Sequence, residues 1–118
     1  MKARNIALTL IILATVFLSF NTASAHDPSS VNLSYDLSSQ TLSVSVGHYT
    51  SDKTIDYIDS VEVKVNGKLY NTYNYTSQYD KNVAAFSYKI EAKTGDLIEV
   101  TATSKMGGSK TSSITVGS

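Results

Sequence analysis

Apolar and polar residues alternate with a period of two along most of the chain after residue 30. Val31 and Leu33 share one parity, and Leu42, Val44 and Val46 repeat the pattern after a polar turn. Such alternation is typical of a β-strand with one buried face. The same pattern predicts five further strands, around residues 61–66, 68–76, 84–90, 98–102 and 114–116.

Turn residues separate these predicted strands. Asn66-Gly67 is a pair that tolerates positive φ at both positions, as a two-residue hairpin requires. Gly95 and the pair Gly107-Gly108 mark two later turns. About seven short strands without helical periodicity predict an all-β fold, an immunoglobulin-like antiparallel β-sandwich. A small closed barrel is the alternative.

The first 25 residues have the pattern of an export signal. Lys2 and Arg4 precede a mostly apolar run over residues 6–20, and Ala23-Ser24-Ala25 is a small-x-small cleavage site. We therefore predict a signal-peptide helix in residues 1–25 and one domain in residues 26–118, located in the periplasm or outside the cell. A retained N-terminal anchor is the alternative, whereas cleavage would leave no membrane span.

The charge and the cysteine content of the mature domain exclude several classes of function. All ten acidic residues but only eight of the ten basic ones follow residue 25, so its net charge is −2. Without a basic run, we expect no nucleic-acid binding. The chain has no cysteine, which rules out disulfides and thiolate chemistry.

The two histidines of the chain are the candidate metal ligands. His48 follows the apolar parity of the second strand, at the point where that strand ends. His26 would become the first residue after cleavage, and its free amine and ring could bind copper together with His48, as a histidine brace. Alternatively, His48 is a strand-end histidine bonded to backbone, and His26 a disordered terminus.

The order of several short motifs resembles the iron-binding domain of the desulfoferrodoxin and superoxide reductase family. The motifs are His26-Asp27-Pro28, Val46-Gly47-His48, and Tyr57-Ile58 followed by a strand with Glu62. The resemblance implies an immunoglobulin-like β-sandwich. It also implies a ferrous site formed by four histidines and one axial cysteine.

This chain departs from the family pattern at most of the iron ligands. His26 and His48 stand at the first two histidine positions, but Asp56 replaces the third. Near the cysteine position the chain has Ser104 or Lys105, and no histidine follows. We therefore expect no superoxide reductase activity. We predict a metal site with a smaller ligand set, His26, His48 and Asp56, and leave open whether it holds iron, copper or no metal.

A tyrosine-rich segment suggests a different function. Tyr70, Tyr73, Tyr75 and Tyr79 lie within ten residues, and Tyr73 and Tyr75 share the parity of Leu69, which predicts a core-facing position for these three. Tyr70 lies on the opposite face. Exposed tyrosines can bind proteins or glycans, so the alternative function is a metal-free extracellular binding or adhesion module that uses the Tyr70 hairpin.

Overall fold

A computed structural model describes residues 27–117 of the chain. The predicted signal peptide and His26 lie outside these residues, so both remain predictions. Seven β-strands form the described part: β1 Ser30–Asp36, β2 Thr41–Gly47, β3 Ile58–Val65, β4 Lys68–Asn74, β5 Val83–Lys89, β6 Leu97–Ser104 and β7 Ser109–Thr115. Within residues 27–117, no helix is long and apolar enough to cross a bilayer.

The seven strands form two antiparallel sheets. One sheet has the strand order β1-β2-β5, and the other has the order β4-β3-β6-β7. The predicted β-sandwich is therefore confirmed, and two separate sheets replace the alternative of a single closed barrel. The hairpins β1–β2, β3–β4 and β6–β7 stay within a sheet, whereas the chain changes sheets after β2, β4 and β5.

The core lies between the sheets and consists of the residues that the alternating pattern predicted to face inward. Leu42 and Val46 of β2 are fully buried, as are Val61 and Val63 of β3 and Val100 of β6. Burying these β-branched and leucine side chains contributes about 1.5–3 kcal/mol each relative to exposure. In a domain that cannot form disulfides, this burial is the main source of stability.

The hairpin between β3 and β4 forms as predicted, but its second strand differs in which side chains face the core. Asn66 and Gly67 both have positive φ, 52° and 79°. The pairing of β3 with β4 then shifts by one residue between Val63 and Lys64, and Leu69 is 55% exposed. The predicted inward position of Leu69 is wrong because a β-bulge inverts the side-chain alternation along that strand.

The segments that carry the candidate ligands lie together at one end of the sandwich. β2 and β6 end there, at Gly47 and Ser104, and β3 begins there at Ile58. The loop between β4 and β5 lies at the same end, where Lys81 O accepts a hydrogen bond from the Thr50 N–H at 2.8 Å. Residues that are 50 or more positions apart in the sequence therefore meet at this end.

Candidate functional site

His48 follows directly after β2 and is almost completely buried. The residue is 2% exposed, in agreement with its place in the apolar parity of β2. Its backbone N–H donates to Asn82 O at 3.0 Å, which joins the end of β2 to the start of β5. A buried imidazole requires hydrogen-bond partners, and both of its ring nitrogens have them.

Gln78, from the loop between β4 and β5, determines the orientation of this imidazole. Its Nε2 donates to His48 O and Asp80 O, both at 2.8 Å, so its Oε1 is the acceptor end of the amide. That oxygen lies 2.9 Å from His48 Nδ1 and also accepts from the Ile58 N–H at 3.2 Å. The hydrogen-bond geometry therefore assigns the ring proton to His48 Nδ1, which donates a hydrogen bond to Gln78 Oε1.

The other ring nitrogen of His48 faces two oxygen atoms. Nε2 lies 3.1 Å from Ser104 Oγ and 3.3 Å from Asp56 Oδ1. The Ser104 hydroxyl also lies 3.3 Å from Asp56 Oδ1, and its single proton can be donated either to that oxygen or to His48 Nε2. The three atoms form a triangle with edges of 3.1–3.3 Å. His48, Asp56, Gln78 and Ser104 are called the His48 cluster below.

Local backbone structure brings Asp56 and Ser104 to His48. Asp56 lies in the loop before β3, and the Lys105 N–H donates to Tyr57 O at 2.8 Å, so this loop is attached to the end of β6. The register of β3 against β6 shifts between Ile58 and Ser60, which places a bulge beside the cluster. Bulges next to sites often redirect a side chain.

The His48 cluster differs in solvent access from one side to the other. The His48 side chain is 1% exposed, whereas the Asp56 side chain is 15% exposed. Ser104 is buried at 4% exposure. Solvent therefore reaches the cluster past the Asp56 carboxylate, and an ion would have to enter on that side.

The ligand set of superoxide reductases does not fit this chain. That set has four histidines and a cysteine, whereas the chain contains two histidines and no cysteine. Without a thiolate, the site lacks the soft axial ligand that tunes such an iron centre. No reaction of the superoxide reductase type can be derived from these residues.

A smaller metal site fits the geometry of the His48 cluster. Metal–nitrogen and metal–oxygen bonds are about 2.0–2.2 Å long, so three atoms that are separated by 3.1–3.3 Å can all reach one ion. A metal-bound histidine usually donates its other ring N–H to an outer partner, as His48 donates to Gln78. The residues that would hold the ion are His48 through Nε2 and Asp56 through Oδ1, with the Ser104 hydroxyl beside them.

The structure thus brings together two of the three predicted metal ligands, His48 and Asp56. Within residues 27–117, no group of three or more His, Cys, Asp or Glu side chains is placed to hold a metal ion. The third predicted ligand, His26, precedes the described residues. Its neighbour Asp27 packs its side chain against Gly108, in the turn that follows Ser104.

Sequence reasoning missed Gln78. Its loop reads Thr-Ser-Gln-Tyr-Asp, a polar stretch in which no spacing singles out the glutamine. Its role depends on contacts with His48 and Ile58, which lie 30 and 20 positions earlier in the chain. Ser104 was identified only as one of two residues near the family's cysteine position. The structure places its hydroxyl, and not Lys105, against His48.

The tyrosine-rich hairpin is partly surface and partly core. Tyr70 is 40% exposed, and its hydroxyl accepts a hydrogen bond from the Glu91 N–H at 3.2 Å. Tyr73 and Tyr75 face the other sheet, as their predicted core-facing position requires. The contact of this hairpin with a protein or glycan remains a prediction.

Comparisons with known proteins give matches among solved structures. A variant of superoxide reductase (neelaredoxin) from Ignicoccus hospitalis is 14% identical, with a TM-score of 0.49 over 81% of this chain and 84% of its own. A superoxide reductase in the oxidised state is 14% identical, with a TM-score of 0.44 over 76% and 86%. A hypothetical protein from Pyrococcus horikoshii is 16% identical, with a TM-score of 0.44 over 76% and 87%.

Two of these three structures are named superoxide reductases. They belong to the family that the sequence motifs around His48 resemble. No protein-family model matches the chain, and no curated protein matches it.

Proposed function

We propose that this chain is an exported β-sandwich protein that does not reduce superoxide and that binds one transition-metal ion through His48 and Asp56, with His26 as the third ligand. The observation that carries the proposal is the 3.3 Å separation of His48 Nε2 and Asp56 Oδ1, while Nδ1 is bonded to Gln78. Two ligand atoms at this separation fit one ion. Two histidines and one carboxylate form a facial set that suits ferrous iron.

The position of Asp27 supports His26 as the third ligand. Asp27 packs against Gly108, and Ser104 N–H donates to Gly108 O at 3.0 Å, so residue 27 lies near the turn that follows Ser104. Cleavage after Ala25 would place the free amine and the ring of His26 one residue from this contact. An amine and two imidazoles would suit copper better than iron, and a test must therefore distinguish the two metals.

The metal content of the exported protein tests this proposal. The full chain, expressed with its own leader and purified from the exported fraction, is expected to hold about one iron or copper ion per chain. His48→Gln and Asp56→Asn are expected to lower metal affinity by at least about 10–100-fold. A loss of that size is typical even when only a residue that hydrogen-bonds to a metal ligand is replaced. Glu62→Gln, on the outer face of β3, is the matched carboxylate control and is expected to retain the metal.

A metal-free function is the second candidate, and one observation favours it. Both ring nitrogens of His48 already have hydrogen-bond partners within the protein, so the His48 cluster is satisfied without an ion. The domain would then act as a binding or adhesion module whose exposed hairpin residues include Leu69 and Tyr70. A wild-type protein purified without metal, and unchanged in unfolding when iron or copper is added, would contradict the metal proposal and leave this one.

A further inference from the structure

Four aromatic rings form a stacked row between β4 and β5, which we call the aromatic seam: Tyr73, Tyr75, Phe86 and Tyr88. The rings of Tyr73 and Tyr88 are nearly parallel, with an interplanar angle of 11° and centroids 3.9 Å apart. At this separation the two phenols are in van der Waals contact. The hydroxyls of Tyr75 and Tyr88 form a hydrogen bond of 2.5 Å.

The seam joins the two sheets at a place where no strand pairing joins them. β4 is an edge strand of the four-stranded sheet, and β5 is an edge strand of the three-stranded sheet. Tyr73 belongs to β4 and Tyr88 to β5. The contact between their rings therefore connects one sheet to the other through side chains.

The composition of the chain directs oxidation toward these rings. The sequence has no cysteine and no tryptophan, but eight tyrosines. Tyrosine is therefore the side chain from which a one-electron oxidant most readily takes an electron. Tyr73 is half-buried, so one ring of the stacked pair reaches the surface, whereas Tyr88 is 7% exposed.

We propose that Tyr73 and Tyr88 are a modification site at which a one-electron oxidant of phenols forms an intrachain dityrosine bond. Each phenol loses one electron to the oxidant and one proton to solvent, which gives two phenoxyl radicals. The radicals join through a carbon atom ortho to each hydroxyl. The two ring hydrogens at those carbons then move to the oxygens, so both hydroxyls are restored and the chain has lost two hydrogen atoms in total.

The bond would supply the covalent link between sheets that a chain without cysteine cannot obtain from a disulfide. It closes a loop of about 15 residues, and a crosslink of that size stabilises mainly by restricting the unfolded chain. The expected effect is an increase in the midpoint of thermal unfolding on the order of 10 °C. The inference does not depend on metal binding at the His48 cluster.

Photo-oxidation of the purified full chain tests the proposal, with ruthenium tris-bipyridyl and persulfate as the one-electron oxidant. At low protein concentration, the expected product is a monomer that has lost the mass of two hydrogens and shows dityrosine fluorescence. After trypsin digestion, peptide 69–81 is expected to be joined to peptide 82–89. A monomer that keeps its full mass after oxidation would overturn the proposal.

Three variants that keep every aromatic ring assign the bond, because peptide 69–81 contains four tyrosines. Tyr73→Phe is expected to abolish the intrachain product. Tyr75→Phe is expected to retain it, as is Tyr79→Phe, which removes the hydroxyl of a residue that is 98% exposed. A crosslink that survives in Tyr73→Phe, or that disappears in Tyr75→Phe, would show that a different pair reacts and would refute the assignment.

Discussion

Gln78 and His48 form two hydrogen bonds with each other, one to the imidazole and one to the backbone carbonyl of His48. Gln78 Oε1 accepts from His48 Nδ1 at 2.9 Å, and Gln78 Nε2 donates to His48 O at 2.8 Å. The same amide also bonds to Ile58 N and Asp80 O. One side chain therefore fixes the end of β2, the start of β3 and the loop between β4 and β5.

Replacing Gln78 with methionine is expected to destabilise the domain more than its small change in volume suggests. Gln78→Met keeps the length of the side chain but leaves two donors and two acceptors without this partner. We expect a loss of about 2–4 kcal/mol in the free energy of unfolding, measured by urea denaturation. Ser77→Ala, at the exposed neighbouring position, is the control. Equal stability of the two variants would contradict this role of Gln78.

The sequence was sufficient to predict the strands and most of the core, because alternation records which side chains face inward. The predicted inward position of Leu69 was wrong, since a bulge reverses the alternation of side chains along β4. No residue type in this segment indicates that bulge. Asp56 and Ser104 were found because the resemblance named their positions. Gln78 could not be found, because its importance arises from contacts across 20–30 residues and not from a local pattern.

Acid is expected to destabilise the domain through Asp96. Its carboxylate accepts from the Lys93 N–H and from the Asn66 side chain, both at 3.0 Å, and these bonds hold its pKa below the ordinary value of 3.8. Because the folded-state pKa is lowered, its contribution is present above pH 3.8 and is lost as pH falls through the folded value. Asp96→Asn should therefore show a weaker loss of stability below pH 3.8 than the wild type.

Urea unfolding at a series of acidic pH values measures this difference, with Glu62→Gln as the control carboxylate. The control should follow the wild-type curve. If Asp96→Asn followed it as well, the hydrogen bonds of Asp96 would not contribute to the pH dependence.

Alkaline conditions are expected to act on the aromatic seam through Tyr88. Burial, and then the hydrogen bond between the Tyr88 and Tyr75 hydroxyls, raise the pKa of the Tyr88 phenol well above its ordinary value of 10.0. A raised folded-state pKa means that the contribution of Tyr88 to stability is present below pH 10.0 and is lost as pH rises toward the folded value. Tyr88→Phe, which keeps the ring, should therefore lose less stability above pH 10.0 than the wild type.

Ultraviolet absorbance of the phenolate reports the same group directly. In the folded wild type, the Tyr88 phenol should stay un-ionised above pH 10.0, because burial raises its pKa. Tyr88→Phe should remove this late ionisation. A wild-type titration in which all eight tyrosines ionise together while the protein remains folded would be inconsistent with the burial of Tyr88.

Gly108 offers a test of whether the start of the mature chain belongs to the metal site. It has a φ of 72°, and a Cβ at this position would overlap the carboxylate of Asp27. Gly67 has a similar φ of 79° with no atom within 4 Å of such a Cβ. Both alanine variants should lose about 1 kcal/mol of stability from the positive φ, but only Gly108→Ala should also displace Asp27.

Metal titration of the two variants separates the effects. If His26 is a ligand, Gly108→Ala should bind iron or copper more weakly than the wild type, because His26 is attached to the displaced residue, whereas Gly67→Ala should bind normally. A Gly108→Ala protein that is folded and keeps wild-type affinity would remove His26 from the ligand set. His48 and Asp56 would then have to hold the ion without the N-terminal residue, with the Ser104 hydroxyl and water as the remaining oxygen donors.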